Sequence, residues 1–186
     1  MSRPTADVSV RVAWADDAPA LAHVQLRAWR AEYADLVPAE ALPSDAEVAA
    51  QGWHHLLTRP ADARQRVLVA LEGPHVRGFV ITAPASDPDC DPARDGELVD
   101  LTVDPEARRR GHGSRLLQAG IDTLRADRFT RATTWVLAHD EDRRAFLQGA
   151  GWGPDSARRE LALAEGPEAG DDGASVLQVR LHTDLG

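Results

Sequence analysis

Lysine is absent from this chain, and cysteine, methionine and tyrosine each occur once. Without lysine there is no Gly-Lys-Ser/Thr phosphate loop. A lone cysteine, Cys90, forms no intrachain disulfide and leaves no zinc-ligand spacing, so a reducing compartment is expected. Long apolar runs are missing too. Met1 to Arg11 is polar and carries Asp7, unlike a signal peptide, and no stretch is long enough to cross a bilayer, so the expectation is a soluble cytoplasmic protein with no membrane partner. Basic excess is also lacking. A net charge of -9 argues against nucleic acid, whose phosphates call for clustered cations. What remains is 186 residues with 43% hydrophobic content, enough for a single domain over residues 1–186 with one full-sized core.

Against this acidic background one basic segment stands out. Leu98 to Val103 alternates as a strand and runs through Asp104-Pro105 into Arg108-Arg109-Arg110-Gly111-His112-Gly113-Ser114-Arg115. Apolar residues at Leu116, Leu117, Ile121 and Leu124 then mark an amphipathic helix. The first turn of a helix carries unpaired N–H groups and the positive end of the dipole, so an anion is stabilised there. Gly111 and Gly113 keep side chains away from those amides, and the arginines add charge that pairs with phosphate oxygens. Leu116 stands where a Gly-x-Gly-x-x-Gly dinucleotide loop needs its third glycine.

The spacing Arg108-x-x-Gly111-x-Gly113 after a Val-x-Pro strand end resembles the acyl-CoA-binding segment of the GNAT superfamily of N-acetyltransferases. The resemblance implies that Arg108, Arg109, Arg110, Gly111, His112, Gly113 and Ser114 wrap the pyrophosphate of acetyl-CoA, with His112, the variable position, facing solvent. It implies further that the main chain of Leu101, Thr102 and Val103 meets the pantetheine and thioester. Trp29-x-x-x-Tyr33-x-x-Leu36-x-Pro38 is similar to a pattern that shapes the acceptor pocket in that family, which makes Tyr33 a candidate to bind the acceptor or deliver a proton.

The order of elements fits the same fold. Strands are expected at Val8–Trp14, Val67–Leu71, Val76–Thr82, up to Val103, at Ala132–Ala138, around Arg158–Ala164 and at Val176–Leu181. Asp16-Asp17-Pro19 opens a long helix stopped by Pro38, with Leu21, Val24, Ala28 and Trp29 inward and Arg27, Arg30 and Glu32 outward. Ser44, with Glu47 in a capping box, starts a second helix that runs to about Leu57. Ala83 to Gly96 and Gly166 to Gly173 read as loops, the latter closing a hairpin, and Asp140 to Ala150 as a short helix closed by Gly149 and Gly151. The order β-α-α-β-β-β-α-β-α-β-β is that of the GNAT fold over residues 8 to 182, an α/β (α+β) domain with a mixed, mostly antiparallel sheet of about seven strands and helices on both faces.

Acyl transfer from a thioester to an amine needs a neutral nucleophile, a polarised carbonyl and a route for the departing thiolate. Glu97 stands four residues before Leu101, where several GNAT enzymes place the base that deprotonates the amine through water. Asp100 is the second candidate, expected on the opposite face of the strand from Glu97 unless a bulge resets the phase. The family's proton-donating tyrosine is replaced by Leu147 and its asparagine by Asp140, while Phe146, Gly151 and Trp152 match, and His139 is a weaker alternative acid. Asp87-x-Asp89-x-Asp91 lacks the glycine and distal glutamate of a calcium loop, and His54-His55 point to different faces of a helix. No metal is expected.

The reading is an N-acetyltransferase that passes the acetyl group of acetyl-CoA directly to a primary amine on a small molecule or peptide. Cys90 lies outside the motif and is unsuited to carry the acyl group. A non-catalytic acyl-CoA-binding or sensor module of the same fold is the alternative, and a homodimer is compatible with either.

Overall fold

The computed structural model describes residues 8–36, 42–162 and 175–186. Its elements follow the expected order: β1 (Val8–Val12), α1 (Ala18–Glu32), α2 (Ala46–Thr58), β2 (Arg66–Glu72), β3 (His75–Pro84), β4 (Asp95–Val103), α3 (His112–Ala126), β5 (Arg131–Leu137), α4 (Glu141–Gly149), β6 (Gly153–Ala162) and β7 (Ser175–Asp184). The seven strands form one sheet in the order β1-β2-β3-β4-β5-β7-β6. Only β4 and β5 run parallel. That pairing lasts three residues, Asp95–Glu97 against Arg131–Thr133, after which the two strands part.

Two apolar layers follow from strand alternation. Val67, Val69, Phe79 and Ile81 face α1 and α2, where Leu21, Ala22, Val24 and Trp53 cover them. Trp53 meets Phe79 edge to face at 4.8 Å and donates its indole N–H to Gln25, so the large side chain is buried without an orphaned donor. Leu68, Val80 and Leu98 face the other way, onto Leu116, Leu117, Ile121 and Leu124 of α3. Burying these side chains supplies most of the drive to fold, at about 25 cal/mol per Å² of apolar surface.

The boundaries depart from expectation in instructive places. β1 stops at Val12, because Asp17 turns back to accept from the Trp14 amide and closes a 3-10 turn at Ala15–Asp17. The cap of α2 is Asp45, not Ser44; its carboxylate accepts from the amides of Glu47 and Val48, and a full charge suits the helix dipole better than a hydroxyl. The segment expected as a loop from Ala83 to Gly96 is shortened at both ends, since cross-strand bonds carry β3 to Pro84 and start β4 at Asp95. α1 ends at Glu32, ahead of Pro38, which lies outside the described residues, as do the loop at 166–173 and the last residues of the strand expected to reach Ala164.

Arg27 was expected to face outward and instead turns in. Its guanidinium makes a two-pronged contact with Asp104, at 3.2 and 2.6 Å, and the Asp104 side chain is completely buried. Asp104 also accepts from the Glu106 amide in a 3-10 turn at Pro105–Ala107. Helix α1 is thereby braced to the end of β4. Burial pushes Asp104 up, but the Arg27 hydrogen bonds outweigh it and hold the carboxyl below the ordinary aspartate range. A carboxyl depressed in the folded state contributes stability above its unfolded pKa of about 4 and loses it as pH falls through the lower folded value. Asp104→Ala is expected to destabilise by about 3 kcal/mol at neutral pH, at the lower end for a broken buried pair because Arg27 is partly exposed. Urea titrations of both proteins at neutral pH and near pH 2 should show the gap narrowing in acid.

Candidate functional site

The opening between β4 and β5 is set by one extra residue. In the β3 ladder Ala83 pairs with Glu97 and Thr82 with Leu98, but Ile81 pairs with Asp100, so Val99 is bulged out and stands 46% exposed. The bulge resets the alternation: Glu97, Asp100 and Thr102 all share the face of Ala83, Ile81 and Phe79. Glu97 and Asp100 are therefore on the same face. Across the gap the Thr134 hydroxyl donates to the Leu98 carbonyl at 2.8 Å, satisfying the acceptor where the ladder ends.

Beyond Thr134 the gap widens into a cavity of about 140 Å³. Its walls are Val99 to Thr102 on β4, Thr134 to Leu137 on β5, the end of α1 with Trp29, Glu32 and Tyr33, and Arg143 and Leu147 from α4. Tyr33, Leu101 and Thr102, each singled out in the sequence, line it; Val103 does not, and lies instead beside Gly113. Leu147 is fully buried there, so no hydroxyl comes from that position. His139 is exposed and outside the cavity.

Glu97 is buried but stands apart from this cavity, with the Ser86 hydroxyl 3.5 Å from its carboxylate. Asp100 lines it and accepts from Thr102 Oγ1 at 2.8 Å. Burial pushes Asp100 above the ordinary carboxylate range, against the opposing pull of the Thr102 hydroxyl and of Arg143. Glu32, expected on the outward side of α1, faces in as well, and burial together with Asp100 and Asp140 raises it despite Arg143 at 3.7 Å. The signal for Glu32 lay in its spacing: it follows Trp29 by three residues, which on a helix shares a face. Arg143 gave no such signal inside an acidic stretch that reads as solvated surface.

At the far end of β4 the chain turns into α3. Gly111 caps the helix in the left-handed region (φ 82°), where a side chain would be strained. Arg109 also has positive φ (63°). The amides of His112, Gly113 and Ser114 form the first turn and have no intrahelical partner. Arg108, Arg109 and Arg110 are exposed, Arg110 pairing with Glu72 at 3.2 Å and Arg109 lying 3.6 Å from Asp142, while Arg115 reaches back to the Arg110 carbonyl over Gly111. Free amides, a dipole terminus and loosely held guanidiniums make a cradle that fits a diphosphate. His112 does not face solvent. It is 1% exposed with neither ring nitrogen bonded, and burial, helped by Arg115, Arg77 and Arg110, holds it below the ordinary histidine range despite Glu72. It is the floor of the loop. From Ser114 a groove of about 320 Å³ continues past Leu117, Ile121, Phe146 and Trp152.

Two of the three aspartates in the 85–94 loop, Asp87 and Asp89, are also spoken for. Arg180, buried under Trp135, binds Asp87, Asp89 and Asp155, so an internal guanidinium occupies the place a cation would take. Cys90 lies 3.5 Å from Arg180, and burial pushes its thiol up.

The acetyltransferase (GNAT) family model matches residues 23–152. No curated protein matches the chain. Among solved structures, ribosomal-protein-alanine N-acetyltransferase from Brucella melitensis is similar at 21% identity and a TM-score of 0.69, over 95% of this chain and 99% of that one. An N-acetyltransferase from Staphylococcus aureus aligns at 17% and 0.69, over 97% and 99%. The PaiA N-acetyltransferase from Thermoplasma acidophilum, solved with coenzyme A, aligns at 15% and 0.68, over 96% and 99%. At such identities these likenesses show a shared fold.

Tyr33 is the only tyrosine, so its ionisation can be followed alone. Burial, with Glu32 and Asp100 nearby, pushes its phenol up to about 12. The tyrosinate absorbance of the folded protein is therefore expected to stay silent through pH 10 and to appear at lower pH in Glu32→Gln, which removes one of the raising charges. An ordinary titration near pH 10 in the parent protein would contradict the burial described.

Proposed function

This chain belongs to the GNAT family of acetyltransferases, and we propose that it transfers the acetyl group of acetyl-CoA directly to a primary amine held between β4 and β5. The observation that carries this reading is the continuity of two features: the diphosphate cradle at the start of α3 and the opened edge of β4, which ends in a cavity containing Asp100.

The amides of His112, Gly113 and Ser114, with Arg108, Arg109 and Arg115, hold the diphosphate, and Arg110 holds the loop to β2 through Glu72. On its β5 side the main chain from Val99 to Val103 has no strand partner, so the groups facing that way are free to bond the pantetheine arm and polarise the thioester carbonyl, as an edge strand does for a bound peptide. Bound acetyl-CoA supplies an activated acyl group. Asp100 takes the proton from the incoming ammonium; its raised pKa brings it closer to working pH, where a base is most effective. Nitrogen attacks the carbonyl carbon, the second proton of the attacking nitrogen passes to solvent water, and the carbon–sulfur bond breaks with its electron pair leaving on sulfur.

Tyr33 is a hydrogen-bond donor in this scheme and not the acid. A phenol held near 12 gives its proton to a thiolate of ordinary pKa, about 8.5, only uphill, by roughly 5 kcal/mol. Leu147 has no proton to give, so the thiolate leaves as such or takes one from water. Glu97 sits outside the cavity, which makes Asp100 the better placed of the two bases. Cys90, in the loop held by Arg180, is remote from the cradle in sequence and does not line the cavity, in keeping with direct transfer.

A thiol-release assay is the test. Asp100→Asn is expected to lower kcat by roughly 10²–10⁴ with near-normal CoA affinity, and Glu97→Gln to lower it much less. Because the base must be ionised, kcat/KM should rise with pH through a limb above the usual aspartate range that Asp100→Asn abolishes. A larger loss in Glu97→Gln would return the role to Glu97. Gly113→Asp tests the cradle: a Cβ there meets nothing closer than 3.7 Å and an acid suits a helix start, so the fold should hold while calorimetry shows CoA binding weakened at least tenfold. Unchanged affinity would remove the cradle from the proposal.

A further inference from the structure

The charges around the cavity bear on what kind of amine enters it. Two carboxylates line the walls, Asp100 on β4 beside the opened strand edge and Glu32 further out on α1. One guanidinium, Arg143, lines them, and it is already shared, 3.7 Å from Glu32 and 3.5 Å from Asp140. Of the arginines further off, Arg180 is engaged with three aspartates and Arg159 with Gln178 at 2.7 Å while it stacks on Trp135, whereas Arg108, which acts on Glu32 from outside the cavity lining, is the one assigned above to the diphosphate. Among the described residues, then, no unpaired cation lines the cavity to receive an acceptor's carboxylate or phosphate. Glu32 has only a long, shared contact with Arg143, where a close pair would measure below 3 Å.

Aromatic rings share the lining with these charged and polar groups. Trp29 and Tyr33 stand on the α1 side and Trp135 on the β5 side. Such walls suit methylene groups, and an aromatic face also attracts an ammonium.

We propose that the acceptor is a linear oligoamine without a carboxylate: its reacting amine is placed at Asp100, its alkyl stem lies against Trp29 and Tyr33, and a second ammonium is bound by Glu32. This rests on the acetyltransferase reading above and narrows its substrate class. Attraction to a partly buried carboxylate and repulsion of an anion at the same place favour a second positive charge over a neutral end by roughly tenfold or more, and disfavour a negative end by at least as much.

The test compares a linear alkyl diamine, the monoamine of the same chain length and the matching ω-amino acid. Each is titrated calorimetrically into the full-length protein, alone and after saturation with CoA, and each is assayed for thiol release with acetyl-CoA. The diamine is expected to bind roughly tenfold tighter than the monoamine and to show the higher kcat/KM through a lower KM, with the amino acid bound weakest. Glu32→Gln should cost the diamine roughly tenfold and the monoamine much less, so that the two bind alike. Equal binding of diamine and monoamine, preference for the amino acid, or a Glu32→Gln variant that still distinguishes them would overturn the oligoamine assignment while CoA heat and acetyl transfer stand. Loss of CoA heat in the parent protein would instead strike the acetyltransferase reading, and diamine binding to the CoA-free protein would still decide the charge preference.

Discussion

The structure depends on a ladder that is allowed to fail. Two parallel strands that kept their pairing would present no free backbone and no cavity, because a continuous sheet saturates its N–H and C=O groups. Here β4 and β5 share three residue pairs and then separate, with Thr134 giving the Leu98 carbonyl a substitute partner so that the end of the ladder is not left with a buried unsatisfied acceptor. On the other edge of β4 the Val99 bulge shifts the side chains by one place and brings Asp100 round to the α1 side. Opening the sheet and aiming a carboxylate at the gap are thus effects of the same short stretch.

That stretch also ties the two halves of the site together. The end of β4 leads within a few residues to the turn proposed to hold the diphosphate, and Asp104, between them, is the residue Arg27 grips from α1. Within the next two turns, at the end of α1 and in its C-cap, come Trp29, Glu32 and Tyr33. A buried ion pair is weak evidence for stability, since its desolvation offsets much of its attraction. Its value here is positional: it sets the helix that frames the β4–β5 cavity against the strand that leads to the arginine- and glycine-containing turn before α3.

How much of this could be read in the chain divides along physical lines. The turn into α3 was legible, because Arg108-x-x-Gly111-x-Gly113 before an amphipathic helix expresses a local backbone requirement, and the order of elements was legible from periodicity. The facing of individual polar residues was not. An extra residue in Leu98-Val99-Asp100-Leu101 leaves no mark on an apolar-polar alternation, so the shared face of Glu97 and Asp100 emerges only in the register with β3. Arg27 and Glu32 look like the solvated side of α1 because a helical pattern shows which residues are apolar, not which polar ones have a buried partner waiting on another element. His112, reading as a variable loop position, turned out to be packing material beneath the cradle. Asp45 took the cap from Ser44 by one residue, a margin within which helix ends are not resolved by pattern.

The arginine-only cation set has a chemical consequence. Every ion pair among the described residues, from Arg11–Asp17 at the edge strand to Arg66–Asp127, Arg27–Asp104 and the Arg180 cluster in the interior, is made by a guanidinium. A thioester reacts spontaneously with exposed ε-amines, and each such event erases a positive charge. A guanidinium stays protonated at physiological pH and is not a nucleophile. The ion pairs of this scaffold are thus chemically inert toward a thioester acyl donor, which cannot erase the charges that hold it together.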